Sequence, residues 1–124
     1  MDLLDASILI DFFNKIPESV NFFLKLNHRE TAISAVTLAE VLAGSDAVEK
    51  EQILHFIGKF RFLNIDKECS ITAAELRQQY HWKLPDSFQA ALALRDHLTF
   101  VTRNTKDFNP TVHKFVRIPY KLHQ

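Results

Sequence analysis

The β-prone runs of this chain never follow one another directly. Asp2 to Leu4, Thr31 to Ser34, "FRFLNI" from Phe60 to Ile65 and "LTFVT" from Leu98 to Thr102 are each separated from the next by helical sequence. Strands joined through helices lie parallel with right-handed crossovers, and both faces of such a sheet must be covered. The predicted fold is therefore α/β: a three-layer α/β/α sandwich around a central parallel sheet of about four to five strands. "FVRI" near the end is a further short strand. With 124 residues and no repeat, low-complexity tract or linker, the chain reads as a single domain over 1–124.

The helical stretches carry their own punctuation. A first helix runs on from Leu4 and ends before Pro17, with Ser7 as a candidate cap; a second sets Val20, Phe23, Leu24 and Leu26 inward. Ser34 is placed to cap "AVTLAEVLAG", which is apolar almost all round and stops at Gly44, where a left-handed residue would fit. Asp46 caps a fourth helix whose apolar contacts are Val48, Ile53, Phe56, Ile57 and Phe60, and Ser70 to Tyr80 has a helical pattern. In "KLPDSFQAALALRDHL", Pro85 and Asp86 open a helix, and Gln89 stands three residues after Asp86 in a capping-box-like spacing.

Asp5 is a carboxylate between Leu4 and Ala6 in an otherwise apolar segment, and an ionised group there needs a partner, hydrogen bonds or a metal. In an open parallel sheet the reactive crevice lies beyond the C-terminal ends of the strands, where Asp5 falls. Glu40 lies in the helix after the second strand, on a face with Val36, Ala39 and Ala43; Asp86 begins a helix; Asp107 follows the "LTFVT" strand. Four acids from four parts of the chain can thus meet over one sheet edge. Capping alone would account for Asp86, and turn formation in "NTKDFNP" for Asp107 and Asn104. Asp11 falls on another side of its helix and reads as a surface or structural acid.

Clustered carboxylates repel one another unless a cation compensates them, and oxygen donors favour Mg²⁺ or Mn²⁺, as one or two ions, over Zn²⁺. His28, His55, His81, His97, His113 and His123 form no close-spaced zinc pattern with one another or with Cys69. A partly hydrated Mg²⁺ leaves room for water and phosphate, which points to phosphoryl chemistry. Lys and Arg total 15 against 15 Asp and Glu, so no bulk positive charge is available to hold nucleic acid. The C-terminal stretch is nonetheless basic, with Arg103, Lys106, Lys114, Arg117 and Lys121 against Asp107 alone. The lone Cys69 suits a reducing, cytoplasmic setting, and no apolar run reaches membrane-spanning length.

"LLDASILIDFF", "ISAVTLAEVLAG", "KLPDSFQAALAL" and "LTFVTRNTKDF" together resemble, in order and spacing, the four signature segments of PIN-domain ribonucleases of the VapC toxin type. The resemblance implies a PIN-like fold in which Asp5, Glu40 and Asp86 are the principal metal-binding acids. The fourth acid falls at the Asn104 or the Asp107 position, and Asp107 is the better candidate because Asn104 is neutral. Ser7 and Thr102 match small hydroxyl or amide positions beside the site. Three residues depart from the family pattern: Gln89 stands at a usually apolar position, Ser7 replaces the usual Asn and keeps hydrogen-bonding capacity with a shorter reach, and His97 stands where glycine is often found, so that it must accept a left-handed backbone or a different helix ending.

The resemblance implies a Mg²⁺- or Mn²⁺-dependent endoribonuclease leaving 5′-phosphate and 3′-hydroxyl ends. It also implies a homodimer silenced by a cognate antitoxin. Lys83, Arg103, Lys106, Lys114 and Arg117 are candidate RNA-backbone contacts. Two other readings remain: a phospho-acceptor receiver-like domain with Asp66 as acceptor, which leaves Glu40 unexplained, and a catalytically silent PIN-like binding module.

Overall fold

A computed structural model describes residues 1–122, so the reading of His123 lies outside the described residues. Five strands, β1 (Asp2–Leu4), β2 (Thr31–Ser34), β3 (Arg61–Leu63), β4 (Thr99–Val101) and β5 (Val116–Arg117), form one sheet in the order β3-β2-β1-β4-β5. All four pairings are parallel; Leu3 lies opposite Ala32 on one side and Phe100 on the other. The helices are α1 (Ala6–Phe13), α2 (Pro17–Leu24), α3 (Ala35–Ala43), α4 (Ala47–Ile57), α5 (Lys67–Tyr80) and α6 (Leu84–Arg95).

Alternation along the strands builds the three layers, because successive side chains leave opposite faces. Leu3, Ala32 and Phe100 pack with Cys69, Ala73, Ala90 and Leu92 of α5 and α6. Leu4, Ile33 and Val101, one residue later in each strand, pack with Ile8, Leu9, Phe23, Val41, Ile53 and Ile57 of α1 to α4. Phe12, Phe13, Phe23, Phe56 and Phe60 form a connected aromatic group in the second layer, with ring centroids 4.7 Å apart for Phe12 and Phe56.

Several local expectations are corrected. The side chain capping α1 is Asp5, not Ser7. Gly44 has φ −94°, so α3 ends without a left-handed residue. Leu24 and Val48 are exposed rather than inward, as are Ala39 and Ala43 on α3. Helix α6 is entered through Lys83, with no side-chain cap, and Asp86 is its third residue; no capping box joins Asp86 to Gln89, which is fully buried. Pro85 explains the shift, since its ring favours the first turn, and the Lys83 ammonium at the cap position has no acceptor with which to bond the first N–H groups. The box forms instead at α4, between Asp46 and Glu49. His97 does adopt the left-handed conformation, at φ 54°.

Candidate active site

Strand order reverses around β1: the chain moves from β1 to β2 on one side and later returns to β4 on the other. A crevice opens above the strand ends at such a switch point. Asp5 follows β1 and Thr102 follows β4, and the two meet there.

Asp5 is 8% exposed, and hydrogen bonds offset its burial. Its Oδ1 accepts from the Ala6 N–H at 2.8 Å, and its Oδ2 accepts from Ser7 Oγ at 3.1 Å and Thr102 Oγ1 at 2.7 Å. An ionised carboxylate has about four acceptor positions, so three are filled and one, on Oδ1, faces no protein donor. Thr102 Oγ1 in turn accepts from the Asn104 N–H at 3.1 Å. The Asn104 side-chain amide donates to Asp107 Oδ2 at 3.0 Å, and its oxygen accepts from the Asp107 N–H at 3.2 Å. Asn104 therefore orients the half-buried Asp107, while the Trp82 indole N–H holds the Asp107 carbonyl at 3.1 Å.

Glu40 and Asp86 complete the acidic group. Burial, then the negative charges of Asp5 and Asp107, push the Asp86 carboxyl up to about 6, against a smaller opposing effect of Lys83. Glu40 is an exposed residue of α3, and its carboxyl is also raised, first by the desolvation its neighbours impose and then by Asp5 and Asp86. Asp86 thus lies in the fields of Asp5 and Asp107, and Glu40 in those of Asp5 and Asp86. As placed, and among the described residues, no three His, Cys, Asp or Glu side chains are close enough to ligate one ion. The donor set is nonetheless all carboxylate oxygen with Lys83 as the cation acting on Asp86, which in chemistry and charge suits a hard divalent ion.

The predicted basic contacts divide. Lys83 is exposed beside Asp86, and Lys106 is exposed in the turn before Asp107. Arg103 instead turns inward: its Nε and Nη2 donate to Asp11, which is 5% exposed and also accepts from the Tyr120 hydroxyl at 2.8 Å. Asp11 is thus a structural acid, and the Tyr120 tie carried no sequence signal. Arg117 pairs with Asp2 at 3.3 Å and lies over the Phe22 ring, lining a cavity of about 530 Å³ with Glu18, Lys25 and Glu30. Lys114 borders a separate apolar groove beside Trp82 and Phe115. Asp66, the acceptor of the receiver-like reading, caps α5 through Cys69 N–H and pairs with Arg95 at 2.9 Å.

Fold and site define an α/β domain with an acidic centre at its topological switch point. Residues 3–111 match the PIN domain family model, and the chain belongs to that family. Comparison with curated protein sequences finds no match. Among solved structures, a chain of a toxin–antitoxin complex from Klebsiella pneumoniae is 33% identical with a TM-score of 0.86, over 98% of this chain and 100% of its own. FitAcB from Neisseria gonorrhoeae gives 26% identity and 0.78, over 98% and 100%. VapBC2 from Rickettsia felis, bound to promoter DNA, gives 28% and 0.68, over 86% and 89%. The VapC-type placement drawn from the sequence motifs agrees with these neighbours.

Proposed function

We propose that this chain is a Mg²⁺- or Mn²⁺-dependent endoribonuclease, the toxin of a toxin–antitoxin pair. The observation that carries the reading is the hydrogen-bonded Asp5 at the switch point, whose charge, with that of Asp107, acts on Asp86 and, with that of Asp86, acts on Glu40. Membership in the PIN family supports it, as does 33% identity to a chain of a toxin–antitoxin complex. Asp5, Glu40 and Asp86 are the residues that would hold the ion, with Asp107 as the fourth. When bound, such an ion supplies Lewis acidity that activates water and stabilises charge on the phosphoryl oxygens.

The chain's own groups prepare that chemistry. Ser7 and Thr102 fix Oδ2 of Asp5 and leave one acceptor position of Oδ1 for a ligand. Asn104 fixes the Asp107 carboxylate. Lys83 and Lys106, exposed beside the acids, can neutralise flanking RNA phosphates. Partners in this reading are RNA, a cognate antitoxin and a second copy of the chain, in the cytoplasm. No helix among the described residues is long and apolar enough to cross a membrane.

The test is cleavage of a mixed RNA pool with Mg²⁺, Mn²⁺ or EDTA, comparing wild type with Asp5→Asn and Asp86→Asn. Expected is metal-dependent cleavage leaving 5′-phosphate ends in wild type and a loss of about 100-fold or more in each variant. Equal metal-dependent cleavage by all three proteins would sink the site. Binding of RNA without cleavage by wild type would leave the silent binding module.

A further inference from the structure

Beneath the acids, a closed ring of buried hydrogen bonds connects the three elements that carry Asp5, Glu40 and Asp86. Gln89 of α6 is fully buried. Its Oε1 accepts from Ser34 Oγ at 2.7 Å, and its Nε2 donates to Thr37 Oγ1. Thr37 Oγ1 donates to the Leu4 carbonyl at 3.1 Å, and the Thr37 N–H donates to Ser34 Oγ at 3.2 Å. Each hydroxyl therefore receives one hydrogen bond and gives one, which fixes the direction of every proton in the ring.

The placement is specific to the site. Leu4 immediately precedes Asp5, Thr37 stands three residues before Glu40, and Gln89 stands three residues after Asp86. The ring crosses the C-terminal ends of β1 and β2, joining α6 on one face of the sheet to α3 on the other. The neighbouring inward residues of α6, Ala90, Ala91, Leu92 and Ala93, are apolar and make non-directional contacts. A buried amide in such a layer costs free energy unless satisfied, whereas satisfied directional bonds set the register of the helices they join.

We propose that Gln89, acting through Thr37 and Ser34, is a positioning residue that holds the backbones bearing Asp5, Glu40 and Asp86 in one mutual register. The inference rests on the proposed metal-dependent reading and concerns how its ligands are placed. Outer hydrogen-bond partners of metal ligands typically change affinity by about 10–100-fold when removed.

The test is Mn²⁺ binding to the intact protein, followed by calorimetric titration well below the thermal midpoint. Gln89→Leu and Thr37→Val are each expected to weaken Mn²⁺ binding about 10-fold, and Thr37→Ser, which keeps the hydroxyl, to bind as wild type. Ile53→Val, a buried change on α4 outside the ring, serves as the comparison for a general loss of stability. If Gln89→Leu and Thr37→Val weaken binding no more than Ile53→Val does, the positioning role is overturned. Should one of the two fail to fold, the other decides. Asp86→Asn separates the two levels: normal Mn²⁺ binding by that variant, or none by wild type, overturns the proposed site itself. Loss in Asp86→Asn with full binding in Gln89→Leu and Thr37→Val overturns the positioning role alone.

Discussion

Asp86 lies partly buried among other carboxylates, with Lys83 as its opposing charge. Its charged form is therefore the unfavourable one in the folded, metal-free protein, and replacing it with the neutral isostere removes repulsion without opening a cavity. Asp86→Asn is expected to raise metal-free stability by roughly 1 kcal/mol, the scale typical of relieving a strained functional group, as read by urea unfolding in EDTA. A lower midpoint for the variant would contradict the charge arrangement. Tyr120 tests the opposite corner. Burial, and then its hydrogen bond to the Asp11 carboxylate, push the phenol up to about 12. Because this value exceeds the ordinary 10, the group's contribution to stability is complete below pH 10 and is lost as pH rises through about 12. Asp11→Asn is expected to let the phenol ionise at a lower pH, seen in the ultraviolet absorbance of phenolate; an unchanged titration would show that Asp11 does not govern it.

At the level of elements, caps decide where helices begin. Asp46 accepts from the Glu49 N–H at 2.8 Å while Glu49 reaches back to the Asp46 N–H, and neither side chain bonds to any of the four acids. Asp46→Ala is expected to lower the thermal midpoint, through loss of the cap, with no change in Mn²⁺ binding, measured by thermal unfolding and titration in parallel. The boxes also show what sequence can convey. Asp46 and Ser34 were legible as caps because each precedes its helix with a free side chain. Asp86 was not, because Pro85 draws the helix start back to Lys83 and leaves Asp86 inside the first turn. Spacing alone could not distinguish a Gln89 that closes a box from one that turns into the interior, since that depends on Ser34 and Thr37, which are 55 and 52 residues away in sequence.

Across the whole molecule, the alternation of strands and helices was enough to predict parallel layers, because no other connection lets such a chain cover both sheet faces. It also set Asp5, after β1, beside the segment that follows β4, where Thr102 meets it. What it could not convey was the side-chain pairing: Arg103 looks like a surface cation until Asp11, from α1, is brought beneath it. The same topology imposes a cost, since assembling the switch point gathers like charges that the unfolded chain keeps apart. A divalent ion that binds only the folded arrangement should offset that cost by mass action. At a concentration 100 times its dissociation constant, stabilisation of about 2.7 kcal/mol is expected, a rise of several degrees in the thermal midpoint. The rise should vanish with EDTA and be absent in Asp86→Asn, whose metal-free midpoint already starts higher. Mn²⁺ that leaves the wild-type midpoint unmoved at saturating concentration would mean that the acids do not act together on a cation.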